Sequence, residues 1–130
     1  MDAGLYAYLS YRDAPAALSW MEEVGFSIVL RQDGSAGEVV HAEARMGDAV
    51  LMVSSADADY QQPALIGRST GGGLYLLVDD VDGFYRRALA AGGIAVIAPE
   101  DTAWGTRRAR ILDPEGHEWS AGTYQPGSGW

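Results

Sequence analysis

The chain contains no cysteine, which excludes a disulfide framework, a thiol nucleophile and thiolate metal ligands. Histidine is scarce as well, with two in 130 residues, so imidazole chemistry has only His41 and His117 to draw on. Basic residues are few: nine Lys and Arg stand against eighteen Asp and Glu, a formal charge of -9. A field of that sign repels phosphate backbones and anionic lipid, which argues against nucleic acid and membrane partners. No apolar run approaches the roughly 20 residues of a spanning helix. The opening MDAGLYAYLSYRDAP also lacks the basic flank and apolar stretch of a secretion signal, so a cytoplasmic location is expected. Nucleophile-elbow, Walker and dinucleotide-binding glycine motifs are missing. The Gly71-Gly72-Gly73 run precedes a strand-like segment and reads as a junction, not a phosphate cradle.

What is present suits one folded domain over residues 1–130. Hydrophobic residues make up 48% and aromatics 10%, enough apolar surface to offset the ordering entropy of a single core, and 17 glycines point to many turns.

Compared with itself at an offset of 67, the chain shows an internal repeat. Tyr8-Leu9-Ser10-Tyr11-Arg12-Asp13 falls on Tyr75-Leu76-Leu77-Val78-Asp79-Asp80, and in each copy a glycine follows the acidic residue by 12 positions, Gly25 after Asp13 and Gly92 after Asp80. Each copy reads as a short strand, an Asp able to cap a helix start, an Ala-rich helix and a glycine stop. Apolar residues recur at helical spacing in both: Ala17, Trp20, Met21 and Val24, then Val81, Phe84, Tyr85 and Ala88. Alternating runs follow at Phe26 to Leu30, Val39 to Met46, Ala49 to Val53, Ala95 to Ile97, Arg107 to Leu112 and His117 to Ala121. The expectation is α+β: two βαβββ modules, about 4–54 and 73–124, forming a curved, partly closed mixed sheet with a ligand cleft. A linker spans 55–72 and a tail 125–130.

Alternation assigns faces. Ala7, Leu9 and Tyr11 take the helix side of the first strand, leaving Tyr6, Tyr8 and Ser10 on the open side. In the repeat Leu74, Leu76 and Val78 are helix-side, leaving Gly73, Tyr75 and Leu77. Trp20, Trp119 and Tyr11 are expected in the core, and modules joined with open faces together would gather the open-side aromatics in one cavity.

SYRDAPAALSWMEEVGF, GGGLYLLVDDVDGFYRRALAAGG and WGTRRARILDPEGHEWSAGTY together resemble the vicinal oxygen chelate superfamily. It contains glyoxalase I, extradiol dioxygenases, fosfomycin-resistance enzymes and bleomycin-resistance binding proteins. The likeness covers nearly the whole chain, and the DPEGHEW turn and strand is its most specific element. Enzymatic members hold a divalent metal with His and Glu, one ligand from each of four strands. The resemblance places those positions on Tyr6, on Leu51 or Met52, on Gly73 and on Ser120, which make no credible ligand set. No metal and no cofactor are therefore expected, and no catalytic residue is assigned.

His41, Glu43 and Arg45 alternate on one strand; a His-x-Glu pair suits acid-base work, but Glu43 pairing with Arg45 or a cross-strand partner on a solvated face is favoured. His117 is expected to bond the neighbouring turn. The open-side rings Tyr6, Tyr8 and Tyr75, with Trp104 at the cavity mouth or at a subunit interface, suit a flat guest. Arg108 and Arg110 either meet an acidic ligand group or pair at the surface. The candidate ligand-binding set is Tyr6, Tyr8, Ser10, His41, Glu43, Leu51, Met52, Gly73, Tyr75, Leu77, Trp104, Arg108, Arg110 and Ser120. As in the antibiotic-binding members, the resemblance implies metal-free sequestration of a planar aromatic natural product by a homodimer, giving resistance. An isomerase or lyase of the same fold is the alternative, and a regulatory domain with a filled cavity a distant third.

Overall fold

In the computed structural model, which describes residues 2–56 and 69–127, the repeat becomes two compact units, one per module. The first runs β1 (Ala7–Tyr11), α1 (Ala14–Val24), β2 (Ser27–Asp33), β3 (Val39–Met46) and β4 (Ala49–Ser55). The second runs β5 (Leu74–Leu77), α2 (Val81–Ala90), β6 (Ile94–Asp101), β7 (Arg107–Leu112) and β8 (Glu118–Gly122). Pairing within each gives one four-stranded mixed sheet, in the order β1-β4-β3-β2 and β5-β8-β7-β6. The first strand of each module lies parallel to its last and the other pairs are antiparallel. Neither sheet closes, and the α+β class with two βαβββ modules holds. Linker residues 57–68 and tail residues 128–130 lie outside the described residues.

The helix signals work as their chemistry requires. Asp13 Oδ1 accepts from the Ala16 amide at 3.1 Å and Asp80 Oδ1 from the Gly83 amide at 2.9 Å, each satisfying a donor that the helix leaves unpaired. Gly25 ends α1 with φ 122, a region that favours glycine. In the second module the cap is Ala91, and Gly92 with φ 108 follows it, so α2 is one residue shorter than α1.

One face of each sheet is buried under its own helix. In the first module Tyr11, Leu18, Trp20, Met21, Val24, Ala42, Ala44, Leu51 and Val53 pack between α1 and the strands; in the second Leu76, Val81, Phe84, Ala88, Ala109, Ile111, Trp119 and Ala121 do so with α2. Tyr85 is only half-buried, at the margin of that face. Core aromatics at Tyr11, Trp20 and Trp119 agree with the alternation.

Among the described residues the second module buries two carboxylates, and Asp113, 1% exposed, is the deeper of them. Its Oδ1 accepts from the amides of Glu115 and His117 at 3.0 Å each, and its Oδ2 accepts from Trp119 Nε1 at 3.1 Å. One side chain thus builds the DPEG turn and fixes the ring beneath it. His117 meets this turn through its backbone, giving its N–H to Asp113 Oδ1 and accepting the Asp113 N–H at its carbonyl, 2.8 Å away. Nearby Glu118, also buried, accepts from the Thr70 amide at 3.0 Å and holds the approach to β5.

On the helix side Arg107 of β7 grips Asp82 of α2 with two bonds, 2.8 and 2.9 Å, and Asp101 of β6 with a third, 2.9 Å. The hydrogen bonds from Arg107 hold the Asp82 carboxyl below the usual carboxylate range. Among the described residues no helix is long and apolar enough to cross a membrane.

Replacing Asp113 by Ala leaves buried donors unsatisfied and should cost about 1–3 kcal/mol or more of unfolding free energy, read by denaturant titration. Asp82 has a folded pKa below its unfolded one, so its contribution is present above the ordinary carboxylate pKa and is lost as pH falls through the folded value. Asp82→Asn should therefore lower the melting temperature at neutral pH, with the gap to the parent closing as the pH is taken down through the acid limb.

Candidate functional site

The face of each sheet that its helix leaves uncovered carries a transverse row of side chains. In the first module cross-strand register aligns Tyr8, Met52, Glu43 and Leu30. In the second it aligns Tyr75, Ser120, Arg110 and Ile97. Three of the four positions are related by the 67-residue repeat. The rows share a frame and differ in chemistry.

The second row floors a cleft of about 730 Å³, lined among others by Tyr75, Trp104, Arg108, Arg110, Ser120 and Tyr124. Tyr75 donates its hydroxyl to the Tyr124 carbonyl at 2.6 Å, and burial pushes its phenol pKa up. Its ring lies across Gly122, where a Cβ would stand 3.1 Å from the ring edge, so glycine is what allows the ring to lie down on the sheet. Trp104 rides a turn between β6 and β7 that two threonines pin. The Thr102 amide donates to the Thr106 carbonyl at 2.8 Å, the two hydroxyls lie 2.8 Å apart and the Thr106 amide donates to Thr102 Oγ1 at 3.1 Å. The turn holds the indole 69% exposed at the rim.

Of the three arginines that line the cleft, Arg107 is held by Asp82 and Asp101, and the other two differ in state. Arg108 is paired with Glu100 through Nε at 2.9 Å and Nη2 at 2.8 Å. Arg110 donates from Nε to Ser120 Oγ at 2.7 Å and from Nη1 to Ser69 Oγ at 3.3 Å, both neutral hydroxyls.

Of the other candidate residues, Tyr8, with Met52, Glu43 and His41, sits on the open face of the first sheet, and Ser10 is half-buried on β1 opposite Ser54. Leu77 shares the face of Tyr75 and is 51% exposed, outside the cleft lining. Three placements need correction. Leu51 pairs with Ala7 on the helix side and is core, so of the two candidates in β4 only Met52 faces the open side. Tyr6 lies ahead of β1, beyond the pairing that would fix its face. Gly73 precedes β5 against the backbone of Glu118, where a Cβ would stand 2.9 Å from the carbonyl carbon, so its role is close approach. Glu43 is also partnered differently: it bonds His41 Nε2 at 2.7 Å along its own strand, and not Arg45.

Three of the four positions at which metal-dependent relatives would hold a cation do not fit one. Gly73 has no donor atom, Leu51 is in the core and Met52 offers only a soft thioether. The Ser120 hydroxyl already faces a guanidinium at 2.7 Å, a fixed positive charge where the cation would sit. No cluster of three His, Asp or Glu side chains stands ready elsewhere among the described residues. Sequence reasoning missed Ile97 and the threonine-pinned turn; the Thr102 and Thr106 pair flanking Trp104-Gly105 was the available signal.

Residues 5–121 match the glyoxalase/bleomycin resistance protein/dioxygenase superfamily. An uncharacterized protein of Mycobacterium bovis is 32% identical over 130 residues, covering 94% of this chain and 84% of its own. Among solved structures, TioX from Micromonospora sp. ML1 is 29% identical with a TM-score of 0.73, over 95% of this chain and all of that one. A bleomycin-binding protein complexed with bleomycin shares the fold at 23% identity and a TM-score of 0.63, over 96% of this chain and all of that one. With 117 of its residues matched, two βαβββ modules in place and those neighbours, this chain belongs to the glyoxalase/bleomycin resistance protein/dioxygenase superfamily.

Proposed function

We propose that the protein binds and sequesters a small planar aromatic natural product without modifying it, and so confers antibiotic resistance. The observation that carries this reading is the cleft of the second module, lined by Tyr75 and Trp104 over the open face of the sheet. Stiff rings with one polar handle favour a flat guest, because stacking and area burial are gained together at little entropic cost. A superfamily relative crystallised with bleomycin supports the choice of ligand class. Self-association as a homodimer belongs to the same reading, supported by exposed Val29, Leu30 and Val40 on β2 and β3.

The second reading is an isomerase or lyase. What favours it is the His41–Glu43 hydrogen bond at 2.7 Å, with both side chains more than a third exposed, the arrangement a general base needs.

A thermal-shift screen against planar aromatic antibiotics, bleomycin-type, quinoxaline and anthraquinone, separates these readings. A ligand at a hundredfold excess over its Kd stabilises the folded state by about 2.7 kcal/mol and raises Tm accordingly. Tyr75→Ala and Trp104→Ala should each weaken that ligand about tenfold while leaving the unliganded Tm nearly unchanged for Trp104. The ligand should be recovered intact by mass spectrometry after denaturation. A converted product, abolished by His41→Ala, would move the protein to the enzymatic reading, and stabilisation by divalent metals alone would sink the sequestration account.

A further inference from the structure

Three arginines follow one another closely in β7, and the structure treats them differently. Arg107 is held by Asp82 and Asp101 on the helix side, and Arg108 is neutralised by Glu100. Arg110 has no ion pair among the described residues, although the chain carries eighteen carboxylates. Its two partners there, Ser120 and Ser69, are neutral hydroxyls, and its remaining N–H groups meet no acceptor among the described residues.

A guanidinium is never discharged at working pH and presents a planar fork matched to a carboxylate. Arg110 is half-buried in the floor of an aromatic cleft, where its charge is less well solvated than at an open surface. Its Nε bond to Ser120, which stands between it and Tyr75 in the row, orients the fork within the cleft that Tyr75 also lines. The arrangement is a preset cationic socket with aromatic walls.

We propose that Arg110 is an anion anchor, and that the cleft selects aromatic ligands bearing a carboxylate or similarly acidic oxygen. The inference rests on the cleft being the binding site, and it adds the ligand's charge. The acid accepts from the two outward N–H groups of the fork, Ser120 keeps the Nε bond, and the ring system lies against Tyr75 and Trp104. Arg108 takes no part, because Glu100 already occupies it.

A matched pair of probes tests this: anthraquinone-2-carboxylate and anthraquinone-2-carboxamide, equal in shape and different in charge, titrated calorimetrically at pH 7.5 in low salt. The parent protein should bind the acid about tenfold more tightly than the amide, the scale of a charge-assisted pair over a neutral one. Arg110→Gln should bring the acid down to the amide's affinity and leave the amide where it was, and Arg108→Gln should keep the preference. Equal binding of both probes by the parent, or a preference that survives Arg110→Gln, overturns the anchor while the cleft remains the site. Binding of neither probe overturns the anchor and the cleft reading together. If Arg110→Gln lowers stability, the parent protein decides alone: the Arg110 Nε–H resonance should move with the acid and not with the amide, and an unmoved resonance overturns the proposal.

Discussion

A four-stranded sheet has two faces, and each module here owns a single helix. That helix covers one face only. Everything on the covered side obeys the demands of burial: Leu18, Met21 and Val24 of α1 against Ala42, Ala44 and Val53, and Phe84 of α2 against Ile111 and Trp119. The opposite face is released from those demands, and alternation along the strands sends every second residue there. The two halves spend that freedom differently. In one the row is Tyr8, Met52, Glu43 and Leu30, with the carboxylate tied to His41; in the other the corresponding row is Tyr75, Ser120, Arg110 and Ile97, with a cation set between neutral groups. A duplicated scaffold thus carries opposite charges at equivalent positions, Glu43 and Arg110.

Much of the scaffold was legible in the chain because its signals are local. Asp13, Asp80, Gly25 and Gly92 announce the helix ends through backbone chemistry that needs no tertiary partner, and β3 and β7 match their alternating runs residue for residue. The open-face placement of Tyr8 and Tyr75 followed from the same alternation. Legibility failed where the deciding partner is remote in sequence. Leu51 and Met52 are both plausible for one position until the parallel pairing of β4 with β1 sets the parity, and a one-residue slip exchanges the faces. Asp113 reads as an ordinary turn residue, and only the fold puts the Trp119 indole within its reach.

The difference between Arg108 and Arg110 was equally invisible, since both occupy the same face of one strand. A bulge in β6 decides it. Ile97 stands opposite Arg110, and Glu100 stands opposite Arg108, so three steps on β6 match two on β7. Without the extra residue Pro99, and not Glu100, would face Arg108. The ionic state of a cleft arginine therefore depends on one added backbone unit in the neighbouring strand.

The same strand has a further effect at the margin of its sheet. β6 is an edge, and edges with regular unpaired amides and carbonyls invite another chain to add on. Here the register is broken twice, and Pro99 supplies no amide hydrogen to an incoming strand. This border is a poor template for sheet extension. Any copies of the chain that meet along it must recognise one another through side chains and not through a shared ladder.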